Sequence, residues 1–358
     1  MVRSYADDLR LARGRPMQAA LLGLLAVYLL LPYMVTDDFP LSVLNYAGIA
    51  AVGAIGLNLL TGYTGQVSLG HAFFIGVGAY AASYAGGDLD LPLPLWLAFG
   101  ALAGGLIGAL IGPFALRLRG NYLAIVTLGL VFVGEHVWRN FRSLTGGNNG
   151  TPVDAPPAIG PLDFSQLAFA GQDFSLNQGY FWLIWGIVAL VALLAKNIVR
   201  TRPGRAMQAV RDRDLAAEVI GVSLARYKIG AFAISSALAG MAGALFGSYQ
   251  QFVSPGEWSL FLSIQYIAII IVGGVGTIFG SIVGALFLGG LPVLIDRYSE
   301  AIPGIATAGP DDGFITVSSL NQAIFGLVIV AFLVFEPRGL AAVWLRVKAY
   351  FRSWPFSY

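Results

Sequence analysis

The sequence predicts an all-α polytopic membrane protein with about ten transmembrane helices. Three observations carry that expectation. Of the 358 residues, 57% are hydrophobic and only 11% are charged, whereas a soluble domain carries roughly 25% charged residues. The apolar residues gather into ten stretches separated by turn-forming or charged connections. The basic residues collect on alternate connections, as retained cytoplasmic loops do. So few charges cannot cover a soluble enzyme of this length in water. The net charge of +2 gives no footing for nucleic acid, and the lack of cysteine removes disulfides and thiolate metal sites.

The first segment, MVRSYADDLRLARGRP, is basic and precedes an apolar run, as a signal peptide would. Its polar part is long, however, and holds Asp7 and Asp8, and no small-residue cleavage site follows. The run at 18–35 therefore reads as a retained first span. Further apolar stretches fall at 42–60, 66–86, 93–116, 121–138, 178–195, 228–250, 258–272, 277–294 and 321–336. A straight span needs about 20 residues at 1.5 Å each, so several of these are short, and 258–272 has the length of a partial helix.

Ten passes place both termini on one side. Arg3, Arg10, Arg13, Arg15, Arg117, Arg119, the eight basic residues within 196–228, and Arg338, Arg346, Lys348 and Arg352 all fall there. Of the 21 basic residues, that leaves only Arg139, Arg142 and Arg297 opposite, together with the acidic loops TDDFP, GGDLDLP, DRYSE and GPDDG. The expected topology is N-in and C-in in a bacterial cell membrane. Residues 1–17 and 337–358 form cytoplasmic tails, and 18–138 and 178–336 form two halves of five spans each. Residues 139–177 form an extracytoplasmic loop, since LTGGNNGTPVDAPPAIGP opposes a continuous helix. Five passes per half give the halves opposite orientations, the arrangement of a possible inverted repeat, although no strong sequence match links them.

Glycine is used in two ways. Gly100, Gly104, Gly108 and Gly112 repeat every four residues and form one smooth stripe for close helix packing; Gly243 with Gly247 and Gly280 with Gly284 read likewise. The stretch IGLNLLTGYTGQVSLGHAFFIGVGAY at 55–80 differs, since it mixes apolar residues with Asn58, Gln66, Ser68 and His71. TGYTGQ reverses the chain between two spans without a charged loop, and VGGVGT at 272–277 does the same. Paired glycine-broken reversals point to a transit path, with a tight turn as the plain alternative. Asn58, Gly62, Gly65, Gln66, Ser68, His71, Gly273, Gly274 and Gly276 are the candidates to line it, and Asn58, Gln66 and Ser68 could instead cap broken helices. GGVGTIFG lacks the Lys-Ser/Thr pair of a phosphate loop, so no nucleotide or other cofactor is expected in this chain.

Polar groups at membrane depth usually face the bundle interior. His71 is read as a hydrogen-bonded structural residue or a path-lining one, and proton coupling would need more such groups in a chain. Glu135 and His136 fall at an interface, with Arg139 as a candidate partner.

The largest basic connection, KNIVRTRPGRAMQAVRDRDLAAEVIGVSLARYK, carries Met207, Val210, Leu215 and Val219 at helical spacing, and Gly221 suits a helix stop. A topology signal needs charge alone. The apolar face predicts a short amphipathic helix over 205–221 that docks in a partner's groove.

Five blocks then carry a family resemblance: GLNLLTGYTGQVSLGHAFFIGVGAYAAS, RLRGNYLAIVTLGL, SLTGGNNG, RPGRAMQAVRDRDLAAEVIGVSLARYKIGAFAISSALAGMAGAL and IVGGVGTIFGSIVGALFL. Over about residues 40–340 the chain resembles the permease subunits of Liv-type ABC importers, most of all the M-type permease of the branched-chain amino acid system. The resemblance implies a type II importer fold. Ala217, Glu218 and Gly221 match the family's coupling loop, in a docking segment (196–227) that also holds Arg205 and Arg211. It further implies a heterodimer with an H-type permease, two cytoplasmic ATPases that bind ATP and magnesium, and an extracytoplasmic solute-binding protein. Related permeases serve urea, short amides and aromatic carboxylates. An ion-coupled secondary transporter is the competing class, and it calls for a midplane carboxylate that no span shows. A passive channel and an intramembrane enzyme fit less well.

Overall fold

The computed structural model describes residues 15–35, 37–117, 121–169, 172–299, 305–306 and 315–353. In chain order the helices are α1 (Arg15–Met34), α2 (Asp38–Thr64), α3 (His71–Ser83), α4 (Leu93–Arg117), α5 (Asn121–Asn140), α6 (Arg142–Thr145), α7 (Leu176–Arg200), α8 (Arg202–Asp212), α9 (Asp214–Val219), α10 (Leu224–Gln250), α11 (Leu260–Gly273), α12 (Ile278–Leu288), α13 (Leu291–Ser299), α14 (Val317–Phe335) and α15 (Gly339–Ser353). The fold is all-α and polytopic. Among the described residues, seven helices or helix pairs are long and apolar enough to cross a membrane: Asp38–Thr64, Leu93–Phe114, Tyr122–Asn140, Leu176–Arg200, Leu224–Gln250, Ile278–Ser299 and Val317–Phe335. Gln18–Met34 and Leu260–Gly273 are shorter apolar helices.

All ten apolar stretches lie on helices, with three departures from the expected bounds, the smallest being the eighth, which becomes helical at Leu260 and not at 258. The third stretch, expected from residue 66, becomes helical only at His71 and closes in a π-helical turn, Tyr84–Asp88. The ninth breaks between α12 and α13, where Gly289 presses on α2: a Cβ there would lie 2.8 Å from the Ala50 Cβ. Arg3, Arg10, Arg13, Arg119 and the GPDDG loop lie outside the described residues.

The centre of the bundle is α2, which is buried on most of its faces and is packed by α7, α10, α11 and α12. A helix hydrophobic all round belongs inside. The outer helices α1, α4 and α14 leave Leu and Phe side chains bare along one side, as a lipid-facing surface does. The stripe Gly100, Gly104, Gly108 and Gly112 lies against α10, where Cβ atoms would meet Ala244, Ser236 and Ile229. Gly78 and Gly243 sit where α3 and α10 touch through backbone: a Cβ at either would fall inside a carbonyl oxygen, of Gly240 and Ile75 respectively. Gly247 is looser, with its nearest neighbour at 3.5 Å. Gly280 and Gly284 pack α12 onto α11.

The described residues of 139–177 include α6, a 3-10 turn (Gly147–Asn149) and five two-residue strands. The first, β1 (Thr151–Pro152), pairs antiparallel with β6 (Phe252–Val253) just after α10. A capping box at Ser175 and Gln178 starts α7, and the Ser175 hydroxyl donates to Asp38 at 2.7 Å.

These contacts gather the connections at two ends. Asp38, Ser175, the β1–β6 pair and Arg297, which lies 5.7 Å over the Phe39 ring, share one end. The reversals at 62–66 and 274–276, α8 and the start of α15 share the other.

Candidate functional site

The first reversal begins where α2 stops. Gly65 adopts φ +70°, its N–H donates to the Thr61 carbonyl at 3.2 Å, and the Gln66 N–H donates to the Leu60 carbonyl at 3.3 Å. This is a left-handed helix ending that glycine suits best. Residues 66–70 then run non-helically through the bundle, where backbone groups need partners. Side-chain hydroxyls supply them: Leu69 N–H donates to Thr127 Oγ1 (2.9 Å), Gly70 N–H to Ser68 Oγ (3.3 Å) and Ala72 N–H to Ser263 Oγ (3.0 Å). Gln66 donates to the Lys228 carbonyl at 3.3 Å and leaves its side-chain oxygen unpartnered.

The second reversal, between α11 and α12, turns on Gly274 (φ +122°) and Gly276 (φ +79°). Thr277 starts α12, accepting from Gly280 N–H at 3.2 Å and donating to the Gly274 carbonyl at 2.9 Å. Asn58 on α2 ties this turn down. Its amide donates to the Thr277 carbonyl (2.8 Å) and Ser281 Oγ (2.7 Å), and its oxygen accepts from Gly276 N–H (2.8 Å). Gly62 lies one turn further, and a Cβ there would come 2.5 Å from the Gly276 nitrogen. The two glycine-broken reversals are thus in direct contact: a Cβ on Gly276 would lie 3.4 Å from the Gly62 carbonyl oxygen.

Arg211 on α8 reaches the same spot. Its Nη1 donates to the Gly62 carbonyl at 2.8 Å, and its guanidinium also pairs with Asp212 at 2.9 Å. A Cβ on Gly65 would sit 3.1 Å from Arg211 Cγ. The structure therefore joins Asn58, Gly62, Gly65, Gly276 and Arg211 into one cluster. Arg205 is not part of it: its guanidinium turns back to the Arg200 carbonyl at 3.1 Å.

The single amphipathic helix expected over 205–221 is in fact two. Arg213 is extended (φ −157°) and separates α8 from α9. The turn lets α8 bury Met207 and Val210 against the bundle while Asp214 approaches Lys228 at 3.7 Å. The expected apolar stripe is consequently split. Leu215, Val219 and Ile220 point outward with 63, 87 and 75% of their surface exposed, and Ala217 alone anchors α9 inward. Gly221, at φ +88°, closes α9 with its N–H on the Glu218 carbonyl at 2.9 Å. Beside this patch Asp214, Glu218, Gly221 and Lys228 line an open cleft.

Several candidate path residues are enclosed by protein in this chain. Asn58, Gly62, Gln66, Ser68, His71, Gly273 and Gly274 are buried, whereas Gly65 is exposed and Gly276 half-buried. Gly273 packs against Gly280. The His71 ring tilts against Tyr266 at 4.9 Å, the Gly53 carbonyl is its hydrogen-bonding neighbour, and Nε2 has no partner among the described residues. Glu135 pairs with Arg139 at 2.6 Å, one helical turn away, and Asn140 lies beside His136.

Sequence reasoning passed over a second cluster at the opposite end. Glu257 ends the 3-10 turn Pro255–Glu257 that leads into α11. Ser254 Oγ donates to its Oε1 at 3.4 Å, and its Oε2 is buried without a partner. Burial pushes its carboxyl up to about 7, against hydrogen bonds from Ser254 that lower it. Trp258 and Tyr80 stand beside it with ring centroids 6.3 Å apart, and both the indole N–H and the phenol oxygen lack a closed hydrogen bond. The sequence did carry a signal: Glu257 is the only charged residue from 229 to 295.

Among the described residues no group of His, Asp and Glu is arranged to hold a metal ion. A family model described as branched-chain amino acid transport system / permease component matches residues 39–333. The high-affinity branched-chain amino acid transport system permease protein LivM of Escherichia coli is 33% identical over 281 residues, covering 75% of this chain and 66% of its own length. The autoinducer 2 import system permease protein LsrC of an Enterobacter strain is 30% identical, covering 71% and 63%. The ribose import permease protein RbsC of Haemophilus influenzae is 26% identical, covering 81% and 88%. The chain thus spans just under two thirds of the first two relatives. No solved structure matches it.

Proposed function

Because the chain belongs to the family of branched-chain amino acid transport system permease components, we propose that it is the M-type permease subunit of an ABC importer in a bacterial inner membrane, carrying branched-chain amino acids or a related small polar solute into the cytoplasm. It catalyses no reaction itself. An H-type permease completes the path, two cytoplasmic ATPases bind ATP and magnesium and supply the energy, and an extracytoplasmic solute-binding protein delivers the solute. Both termini lie in the cytoplasm, so α8 and α9 face the ATPases.

The observation that carries this reading, beyond family membership, is the outward apolar patch Leu215, Val219 and Ile220, joined through α8 to Arg211 and so to both reversals. A bare apolar patch on a basic cytoplasmic connection needs a cover. ATP-driven closure of the partner would push α9 and α8, and the Arg211 contact passes the push to the ends of α2, α11 and α12. Two packings a few kcal/mol apart, each favoured by a different nucleotide state, suffice for alternate access.

The test is co-purification of the chain with ATPase subunits, followed by ATP-dependent uptake of radiolabelled leucine, isoleucine and valine into proteoliposomes containing the assembled complex and its binding protein. Uptake that follows an ion gradient and ignores ATP would overturn the reading.

A further inference from the structure

Glu257 is unusual on three independent counts. It is the sole charge in the 67-residue stretch 229–295 and sits in the turn between two apolar helices. One of its carboxylate oxygens is buried and unpartnered. None of the ion pairs among the described residues includes it. Buried carboxylate oxygens are normally hydrogen-bonded, and an exception calls for an absent partner.

Its surroundings show what kind of partner fits. Trp258 is packed by Tyr80, Trp138 and Phe246, at centroid separations of 6.3, 6.5 and 5.6 Å. Tyr46, whose hydroxyl bonds Gln250, lies at 6.1 Å from Phe246, and both Tyr46 and Tyr80 are within electrostatic reach of the Glu257 carboxylate. The Trp258 indole N–H approaches the Tyr80 hydroxyl without closing a bond to it. A carboxylate with aromatic residues beside it suits a compact organic cation: the acid supplies charge, and neighbouring rings attract what remains. An anion would meet repulsion there, and a neutral apolar group would leave the carboxylate unpaired.

We propose that Glu257, with Tyr80 and Trp258, receives the ammonium group of the transported amino acid at the end of the bundle opposite Arg211. This rests on the proposed function and adds the group that recognises the solute within the permease itself. The ionised carboxylate is the form that binds the cation, and burial holds its titration near neutrality, at about 7. Of the titratable groups on elements packed around the turn, Tyr46 on α2 and Tyr80 on α3 couple to the carboxylate, and α5 brings Glu135, His136 and Arg139, of which Arg139 is engaged with Glu135. Uptake should therefore rise between pH 6 and 8 and lose that dependence when Glu257 is removed; a slope that persists in Glu257→Gln overturns the assignment to this carboxylate.

The experiment compares wild type, Glu257→Gln, Glu257→Asp and Tyr80→Phe in the assembled transporter in proteoliposomes. It reads leucine uptake and, separately, ATP hydrolysis stimulated by leucine-loaded binding protein. The expected result for Glu257→Gln is uptake lowered about tenfold or more, with stimulated hydrolysis within twofold of wild type and a flat pH profile. Glu257→Asp recovers part of the uptake. Uptake by Glu257→Gln within twofold of wild type overturns the inference while leaving the proposed function intact. Should Glu257→Gln not assemble, Tyr80→Phe decides, since it deletes one oxygen. A raised KM with unchanged hydrolysis supports the site, and an unchanged KM overturns it. If the wild-type complex moves no branched-chain amino acid, the proposed function falls and this inference falls with it.

Discussion

Arg211 and Gly62, 149 residues apart, are joined by a hydrogen bond of 2.8 Å from the guanidinium to the backbone carbonyl. Through that bond the basic helix α8 holds the end of the central transmembrane helix. The carbonyl is available because α2 ends there and has no further helical N–H to offer it. The guanidinium is half-exposed, so water screens part of the interaction, which is worth about 1–1.5 kcal/mol. Arg211→Ala should lower uptake about five- to tenfold while the complex still hydrolyses ATP, and Arg211→Lys should recover only part of it. The ratio of solute moved to ATP hydrolysed is the measurement, and an unchanged ratio would refute the link.

Asn58 has a different task. Three hydrogen bonds from one buried side chain fix the turn at Gly276 and Thr277. Asn58→Ala leaves the Gly276 N–H without its partner and should destabilise the subunit by about 2–4 kcal/mol. The check is the thermal midpoint of the purified complex, with uptake normalised to folded protein. A large loss of uptake at unchanged stability would return Asn58 to the transit path.

How much of this was legible in the sequence depends on the range of the forces involved. Hydropathy is summed over many residues, so the helical stretches, the glycine stripe on α4 and the loop at 139–177 could be read from the chain. The charge-free reversals were also visible as patterns. Their contact was not, because it depends on where α2, α11 and α12 meet. The single docking helix was misread for a related reason: helical spacing placed Met207, Val210, Leu215 and Val219 on one face, whereas tertiary packing buried the first two and bent the chain at Arg213. Ser68 was legible as a polar residue at a break, but its role needed the 3.3 Å contact with Gly70 N–H to be seen. Glu257 was overlooked because it stands one residue outside the apolar stretch that begins at 258.

Gly65 and His71 should separate under substitution. Gly65 holds φ +70° and faces Arg211 Cγ. A side chain there costs about 1–2 kcal/mol in the left-handed region, and Asn tolerates that region better than Leu. Uptake should therefore fall in the order Gly65→Asn, Gly65→Leu. His71→Asn, which keeps a polar group near the Gly53 carbonyl, should affect uptake less than Gly65→Leu. Equal and complete loss in Gly65→Leu and His71→Asn would assign His71 a chemical part in transport.

The helix-packing glycines make a sharper contrast. Gly78→Ala and Gly243→Ala each drive a methyl into a facing backbone carbonyl, which no rotamer change relieves. Overpacking of this kind costs about 1–3 kcal/mol or more. Gly23→Ala and Gly326→Ala meet nothing within 4 Å and should be neutral or slightly stabilising, since alanine favours the helix. Folded yield by size-exclusion chromatography in detergent orders the four variants, and parity among them would contradict the close approach of α3 to α10.

The exposed patch on α9 offers the cleanest test of where force enters the chain. Leu215, Val219 and Ile220 make little contact with the rest of the subunit, so replacing them with serine removes almost no internal packing. Surface changes of that type alter stability by roughly 0.5 kcal/mol or less. If a partner covers the patch, the loss instead appears in assembly: burying three aliphatic side chains of this size is worth about 1.5–3 kcal/mol apiece at full burial. The triple variant Leu215→Ser, Val219→Ser, Ile220→Ser should keep the wild-type melting temperature as an isolated subunit. It should also retain far less ATPase on co-purification and lose ATP-driven uptake about a hundredfold or more. Gly221→Pro should act in the same direction from the backbone, because proline cannot take the φ of +88° with which Gly221 closes α9. Full ATPase retention by both variants would show that the motor grips the permease elsewhere, and the contact from Arg211 to Gly62 would then have no input to transmit.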